Sequence, residues 1–430
     1  MIYYKTLINI RKAHGYSQAE FAKLMRCDLE YLIKLENDEL KPTYLFVEKL
    51  RHKLNLNDAP ITSTEWETLM KGLTTFRLAL DYDDMNTATR LKPKLEKEAM
   101  SSFSRNAEIL YSLYAAGYYW AVNDMEAHDR TMATLSQRTD EFNARHQYYY
   151  HRLIGAREYI LHNYDNALKA FLTAEKLATE LQWVNVGLYY ACAKCLADMG
   201  YIARAVDYYK KAQHYGRWHK PYDGKPNGMY DAYIDGRLAS CLSKLGKSNE
   251  AITILEKRLS KELRQHISRE NIGFTYLSFG KVYSHIGSYK IALENFEKAF
   301  LYLEEGGEAY TANLYKMAET LIASDRISEA IICLDKGLSL PDMRKIWVLL
   351  FNMLKHSTSL SEPDSILYVI DAIPKLKAYG QYGDIAIYYK LISDFCRDNE
   401  NNELIVKHSN LAHIAYEIQQ QHLLAGYHIQ

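Results

Sequence analysis

The sequence has few of the features that mark secreted, membrane-bound or disordered proteins. Only 6 cysteines occur in 430 residues, and their scattered positions predict reduced thiols rather than a disulfide framework. The 8 prolines and the lack of low-complexity tracts argue against extensive disorder. The N-terminal residues MIYYKTLINIRK lack an apolar signal core, and Asn352 interrupts the longest apolar run, residues 346–354. We therefore expect a cytoplasmic protein with no membrane segment.

Excess charge and the common catalytic motifs are also missing. The 53 Lys and Arg residues balance 53 Asp and Glu residues, so any nucleic-acid site must be local. No phosphate-binding glycine loop, nucleophile elbow or HExxH motif occurs. Cys192 and Cys195 form a CxxC motif without a second ligand pair at zinc spacing, which favours buried small residues at a helix crossing. These observations predict neither an enzyme nor a bound metal or cofactor.

The clearest pattern that is present is a helical hairpin in residues 273–302. Two stripes of aromatic and small residues at helical spacing are separated by a turn at Gly287. The stripes are Tyr276, Phe279, Gly280 and Tyr283, then Tyr289, Ala292, Phe296 and Ala299. The small side chains let the two backbones approach, and the aromatic rings fill the groove between them.

The same hairpin recurs along the chain. In each copy an alanine follows a turn signal, and a large apolar residue stands four positions later. These pairs are Ala167 and Phe171, Ala205 and Tyr209, Ala251 and Leu255, Ala292 and Phe296, and Ala330 and Leu334. Weaker hairpins are predicted at residues 65–100, 103–140, 343–376 and 381–425. The pattern resembles the tetratricopeptide repeat, and this resemblance implies an all-α, right-handed superhelix over residues 65–430.

Residues 5–57 follow a different, four-helix pattern. Gly15 ends the first helix, Ser17 and Glu20 form a capping box for the second, and Asp28 is placed to cap the third. Pro42 and Thr43 open the fourth helix. The predicted apolar contacts are Ala19, Ala22, Leu24 and Met25, then Leu32 and Leu35, then Leu45, Val47, Leu50 and Leu54. This arrangement predicts a helix-turn-helix domain over residues 1–57, joined by a linker at 58–64 to the repeats.

Individual residues of this segment also resemble the Cro/repressor-like helix-turn-helix family. They are Arg11, Gly15 to Gln18, Glu20 to Ala22, Leu32, Leu35 to Asn37, Lys41 and Pro42. The resemblance implies that the domain binds double-stranded DNA. It places Ser17 and Gln18 at the backbone and groove edge, and Leu29, Glu30, Tyr31 and Lys34 in the major groove. Arg26 stands where the family usually has Gly.

The charge of this segment is modest. Residues 1–60 hold 10 Lys and Arg against 8 Asp and Glu, which predicts weak binding by a monomer and a dimer whose two half-sites add phosphate contacts. Two alternatives stay open: a fold that has lost DNA binding, and a dimerisation block.

The repeats predict a peptide site. In tetratricopeptide proteins the first helix of each repeat lines the binding groove, and aromatic rings with Lys and Arg suit an extended peptide. The predicted peptide-binding residues are Arg152, Tyr159, Tyr190, Lys194, Arg237, Asn271, Lys281, Asn313, Tyr315 and Asn352. The asparagines belong to a recurrent series with Asn185 and Asn227, for which helix capping is the alternative explanation. The interruption at residues 216–228 either covers the groove or is a solvated insertion.

A Cro-like domain followed by tetratricopeptide repeats resembles the RRNPP family of quorum-sensing regulators, and the length is closer to its NprR branch than to PlcR. The resemblance implies a cytoplasmic homodimer or tetramer that binds promoter DNA and is switched by a short imported signalling peptide. Positions that often hold Asn in this family here hold Leu153, Ala191, Arg237, Ser278 and Lys316. These differences favour a distinct ligand.

Two other functions fit the same resemblance. A Rap-like protein would bind a response regulator through residues 65–140, where Gln137 is the single glutamine. A phage-encoded peptide receptor controlling lysogeny would use the same device in another setting.

Overall fold

The computed structural model describes residues 2–37, 39–40, 42–54, 63–81, 84–100, 104–218, 228–265, 269–341, 343–360 and 363–378, with 385, 388–389 and 391–392. All regular elements within these ranges are helices. The predicted all-α class, with a helix-turn-helix followed by helical repeats, is confirmed. The chain divides into two compact units, Met1–Leu153 and Ile154–Gln430.

The first unit contains the helix-turn-helix and two helical hairpins. Its helices are α1 (Ile2–Ala13), α2 (Gln18–Met25), α3 (Leu29–Glu36), α4 (Tyr44–Leu54), α5 (Ser63–Asp81), α6 (Met85–Met100), α7 (Arg105–Ala121) and α8 (Met125–Ser136), followed by a short 3-10 turn (Thr139–Glu141). α9 (Ala144–Ile160) begins in this unit and ends in the next. The hairpins α5–α6 and α7–α8 match the predicted spans 65–100 and 103–140. Most of the predicted linker lies outside the described residues, and its last two residues already belong to α5.

The helix-turn-helix core confirms most of the predicted apolar set. Its buried members are Leu7, Phe21, Ala22, Met25, Leu32, Leu35, Phe46 and Leu50. Two predictions were wrong: Ala19 is exposed, and Leu45 is 77% exposed. α4 begins at Tyr44, and this register turns Phe46 inward and Leu45 outward.

The second unit continues the hairpins. Its helices are α10 (Tyr164–Glu180), α11 (Val186–Asp198), α12 (Ile202–Trp218), α13 (Gly228–Lys244), α14 (Ser248–Gln265), α15 (Arg269–His285), α16 (Tyr289–Phe300), α17 (Glu308–Ala323), α18 (Ile327–Leu338), α19 (Lys345–Ser357) and α20 (Pro363–Ala378). The hairpin α19–α20 matches the span predicted at 343–376. Most of the predicted hairpin at 381–425, and residues 219–227 of the predicted interruption, lie outside the described residues.

One packing rule governs the predicted repeats. The five landmark alanines each lie three residues after the start of a second helix and are 0% exposed. The large residue four positions later is at most 4% exposed in every repeat. Nine residues before each second helix stands a buried Gly or Ala, and at Gly280 an added Cβ would lie 2.3 Å from the Phe296 ring. The helices cross where side chains are smallest, as the sequence predicted.

The turn inside each hairpin requires a left-handed residue two positions before the second helix. Gly200, Gly246 and Gly287 supply it with φ of 75–88°, whereas His162 and Asp325 adopt it with φ of 61°. Gly adopts this conformation without steric cost, and a non-glycine residue adopts it with strain. The turn predicted at Gly287 is therefore confirmed, and the other four hairpins turn at the equivalent position.

Candidate functional site

A buried ion pair braces the helix-turn-helix. Arg11 Nε donates to Glu36 Oε1 at 2.6 Å, and Arg11 Nη2 donates to Glu36 Oε2 at 3.0 Å. Arg11 is 9% exposed and Glu36 is 3% exposed. Arg11 Nη1 also donates to the Tyr16 carbonyl at 2.9 Å. The pair thereby ties α1 to the end of α3 and to the turn that precedes α2.

The same pair holds Gln18, a predicted DNA-binding residue. Gln18 Nε2 donates to Glu36 Oε2 at 2.8 Å, which fixes the orientation of its amide. The neighbouring Ser17 is the N-cap of α2: Ser17 Oγ accepts from Glu20 N at 3.3 Å, and Ser17 N donates to Glu20 Oε2 at 2.8 Å. The predicted capping box is therefore present. Asp28 is the N-cap of α3 by backbone geometry, but its side chain makes no capping hydrogen bond.

The outer face of α3 carries the other predicted DNA contacts. Leu29 is 43% exposed, and Glu30 is also exposed. Lys34 Nζ lies 2.7 Å from Glu30 Oε1, and this hydrogen bond lowers the pKa of Glu30 and raises the pKa of Lys34. Tyr31 is half-buried, with its ring edge-on to Phe46 at 5.8 Å between centroids. The face therefore presents one apolar residue beside a neutralised charge pair.

Arg26 occupies the turn between α2 and α3 in the left-handed conformation, with φ of 48° and ψ of 54°. Its backbone N–H reaches the carbonyls of Ala22 and Lys23 and ends α2. Arg26 stands where the resembling family usually has glycine, and it is strained there because residues with a side chain are disfavoured in the left-handed conformation.

The predicted peptide-binding residues do not all lie in one unit. Arg152 is in the first unit, where its Nη1 lies 3.4 Å from Asp81 Oδ1 and its guanidinium lies 5.7 Å from the centre of the Tyr148 ring. Asp81 is also 2.6 Å from Arg77 Nη1. Arg152 thus has partners within its own unit, whereas the other nine candidates belong to the second unit.

Four cations in the second unit occupy related positions on successive first helices. The positions are counted back from the first residue of the helix that follows. Lys194 of α11 and Lys281 of α15 lie eight residues before that residue, and Arg237 of α13 and Lys316 of α17 lie eleven residues before it. Positions three apart share one helix face. We call Lys194, Arg237, Lys281 and Lys316 the cation row. Lys316 was not among the predicted site residues.

The helices that carry the cation row pack directly against one another. α13 contacts both α11 and α15, and α15 contacts α17. α13 and α15 approach each other closely next to the cation row, since a Cβ added at Gly236 would lie 2.5 Å from Ser278 Oγ. All four cations are half-buried.

The electrostatic surroundings of the row are strongly positive. Burial, followed by the charge of Arg237, lowers the pKa of Lys194 to about 8, although Asp198 opposes this shift. Burial, then Arg237 and Lys316, lowers the pKa of Lys281 to about 7. Arg237 thus lowers the pKa of both lysines, whereas, against the effect of burial, neighbouring tyrosines and Asp198 raise the pKa of Arg237 itself.

The carboxylates near the row are largely engaged elsewhere. Glu319 Oε2 pairs with Lys316 Nζ at 2.6 Å, at one end of the row. The hydroxyl of Tyr159 donates to Asp198, and Lys194 Nζ lies 4.4 Å from the centre of the Tyr159 ring. Within the part of the chain that the structure describes, no carboxylate lies at ion-pairing distance from Lys194, Arg237 or Lys281.

The other predicted peptide-binding residues are placed less uniformly. Tyr190 packs against Tyr209 at 6.0 Å between ring centroids. Tyr315 is 3% exposed and packs against Trp347 at 5.7 Å. Tyr190 and Tyr315 thus contribute to packing between neighbouring helices.

The asparagines do not form one row. Asn271, Asn313 and Asn352 lie 18, 14 and 11 residues before the next helix. Asn313 Nδ2 donates to the Phe296 carbonyl at 2.9 Å, and Asn352 Nδ2 donates to the Val348 carbonyl at 2.8 Å. Asn185 accepts from Leu188 N at 2.8 Å as the cap of α11, and Asn227 lies outside the described residues. The capping explanation is therefore correct for Asn185.

The remaining sequence motifs have structural explanations. Cys192 and Cys195 are both 0% exposed on α11, and burial raises the pKa of each thiol. This confirms their assignment as buried small residues. Gln137 is the exposed C-cap of α8. Among the described residues no group of three or more His, Cys, Asp or Glu side chains is arranged to hold a metal ion, and none of the described helices is long and apolar enough to cross a membrane.

Comparison with known proteins supports both parts of the architecture. A helix-turn-helix family model matches residues 7–59. The transcriptional activator NprA of Geobacillus stearothermophilus is 20% identical over 395 residues, covering 88% of this chain and 95% of that protein. A Rap protein complexed with competence and sporulation factor superposes with a TM-score of 0.70 at 13% identity, over 83% of this chain and 99% of Rap.

The chain has the helical fold of that Rap protein. NprR in complex with its cognate peptide NprX is similar as well, with a TM-score of 0.65 at 18% identity, over 80% of this chain and 98% of NprR. At such low identity the structural likeness establishes the fold of this chain.

Proposed function

We propose that this chain is a cytoplasmic transcription regulator that binds promoter DNA as a homodimer or tetramer and is switched by a short signalling peptide. In this proposal residues 1–57 bind DNA, and residues 65–430 bind the peptide and form the oligomer. The observation that carries the proposal is the presence, in one chain, of a braced helix-turn-helix with an exposed α3 face and of first helices carrying three half-buried cations, Lys194, Arg237 and Lys281, which have no carboxylate at ion-pairing distance among the described residues. The names of NprA, a transcriptional activator, and of NprR with its peptide NprX agree with it.

The α3 face has a definite chemical preference. Glu30 is placed to accept from a cytosine amino group, and Leu29 to contact a thymine methyl group. Lys34 neutralises Glu30 and is available to a phosphate. Gln18, held by Glu36, keeps its carbonyl oxygen free to accept from the groove edge.

Selection of DNA from a random duplex pool by the full-length protein tests the DNA-binding part. We expect one enriched motif, which Glu30→Gln should change at a single base pair from cytosine to adenine. Lys34→Ala should weaken binding to the selected duplex and reduce the salt slope by about one. Arg130 forms an equivalent exposed i,i+4 pair with Glu126 on α8, so Arg130→Ala is the matched control. No enrichment, or an equal effect of both alanine substitutions, would contradict the assignment.

If the peptide switches DNA binding, the coupling between the peptide site and the DNA site must act in both directions. If the peptide changes DNA affinity tenfold, the two sites are coupled by about 1.4 kcal/mol, and DNA must change peptide affinity by the same factor. Calorimetric titration of a bound peptide with and without the selected duplex measures this. Equal peptide affinities in the two titrations would remove the switch while leaving DNA binding intact.

A further inference from the structure

We infer that the peptide bound by the first-helix face is anionic, and that one of its carboxylates binds between Arg237 and Lys281, with Lys194 beside them. This inference rests on the proposed function and specifies the chemical class of its ligand. It depends on the position and burial of Lys194, Arg237 and Lys281, and on the lack of a carboxylate at ion-pairing distance from these three within the described residues.

The position of the row is specific to the first helices. Lys194, Arg237 and Lys281 are half-buried on three helices in contact, whereas Lys290 and Lys298 on the second helix α16 are exposed. Exposed lysines on second helices are ordinary solvated charges. Three half-buried cations on one face are different, because each has lost part of its hydration without gaining a carboxylate partner within the described structure.

The balance of charge around Arg237 favours an anion. Its neighbours include Lys194 and Lys281, whose positive charges oppose its own, and the carboxylate of Asp198, which favours its charge and also accepts from the Tyr159 hydroxyl. A guanidinium binds a carboxylate through two parallel hydrogen bonds, and an ammonium beside it adds a third. A single carboxylate therefore fits the donors at the centre of the row and offsets part of their positive charge.

The aromatic residues next to the row fit a peptide better than a free inorganic anion. Tyr159 lies beneath Lys194, and the ring of Tyr233 lies 4.5 Å from that of Phe274 near the α13–α15 contact. Rings beside cations suit a ligand that carries apolar groups as well as a carboxylate. Two parts of a peptide supply that carboxylate: an Asp or Glu side chain, or the C-terminus.

Four synthetic heptapeptide pools separate these sources. The pools contain or lack Asp and Glu at the randomised positions, and each is made with a free or an amidated C-terminus. After mixing with the full-length protein, bound peptides are separated by size-exclusion chromatography and identified by mass spectrometry. Enrichment from the amidated acidic pool identifies a side-chain carboxylate, and enrichment from the neutral free-acid pool identifies the C-terminus. We expect no enrichment from the neutral amidated pool.

Variants then locate the carboxylate. Arg237→Gln and Lys281→Gln should each weaken the selected peptide about tenfold to a hundredfold, the range for losing a charge-assisted hydrogen bond. Arg237→Lys should weaken it less, and Lys290→Gln, which removes an exposed charge from α16, should leave affinity unchanged. The melting temperature of ligand-free Lys281→Gln should equal or exceed that of the parent, because a repelling charge is removed. This distinguishes lost binding from lost folding.

The outcomes separate the inference from the proposed function. Equal enrichment of neutral amidated peptides, or full affinity in both Gln variants, would overturn the anionic ligand and leave a peptide receptor. Enrichment from none of the four pools would overturn peptide binding and the inference together.

Discussion

Glu36→Ala is expected to unfold the helix-turn-helix while the second unit stays folded. The substitution leaves Arg11, 9% exposed, without its carboxylate and removes the acceptor of Gln18. Removing one partner of a buried ion pair costs about 3–5 kcal/mol. A domain of this size is stable by only about 3–8 kcal/mol. The loss is therefore a large part of the total.

A double-mutant cycle isolates the pair. Arg11→Met and Glu36→Leu should each destabilise the domain strongly, whereas the double variant should return close to the parent, because apolar residues of similar volume replace a buried pair at little net cost. Glu30→Ala is the control at the exposed pair on α3 and should have a small effect.

Hydrogen–deuterium exchange with mass spectrometry reads the stability of each region in the intact chain. Native tryptophan fluorescence does not report on this domain, since all 5 tryptophans lie at Trp66 or later. We expect faster exchange in peptides from α1 to α4 of Glu36→Ala and unchanged exchange in α11 to α18. Two results would contradict the role of the ion pair. One is a loss of less than about 1 kcal/mol in the free energy of unfolding of the helix-turn-helix in Glu36→Ala. The other is a double variant that is no more stable than the single variants.

Three further predictions concern stability. Arg26→Gly should stabilise the helix-turn-helix by about 1 kcal/mol by relieving a left-handed residue, whereas Lys23→Gly within α2 should cost about the same in an exchange measurement. Gly280→Ala should destabilise the second unit by about 1–3 kcal/mol in thermal unfolding, because its Cβ meets a ring at 2.3 Å; Gly117→Ala, whose nearest neighbour is 3.8 Å away, should stabilise the first unit. Because burial and neighbouring cations lower the pKa of Lys281 to about 7, the free energy of unfolding should increase from pH 7 to 10, and Lys281→Gln should reduce that increase.

The repeats were predictable because their signal is local. An alanine and a large apolar residue four positions apart lie on one helix face, and their partner, a small residue of the preceding helix, stands at a fixed distance before them. The capping box of α2 was predictable for the same reason. Leu45 was misassigned because it stands five positions before Leu50, whereas Phe46, four positions before Leu50, shares its helix face.

The candidate site was only partly predictable. Lys194, Arg237 and Lys281 were chosen one helix at a time, and Lys316 was noted only as a difference from the resembling family. Their joint arrangement depends on contacts between helices about forty residues apart in the sequence. The sequence likewise showed Arg11 and Glu36 only as two separate residues of the resemblance. Their ion pair could not be predicted, because the two residues are 25 positions apart in the sequence.

The cation row links ligand binding to the stability of the unoccupied protein. Lys281 faces Arg237 and Lys244 from α13 and Lys316 and Glu319 from α17, and the positive neighbours together with burial hold its pKa at about 7. At neutral pH the folded protein therefore resists protonation of a lysine that the unfolded chain protonates freely, which lowers its stability. A bound carboxylate offsets part of that positive charge. It should raise the pKa of Lys281 and stabilise the second unit to the extent that its concentration and Kd require. The uptake of protons on binding, measured by calorimetry in two buffers of different ionisation enthalpy, should therefore be positive near pH 7.5, and a value of zero would place the carboxylate elsewhere.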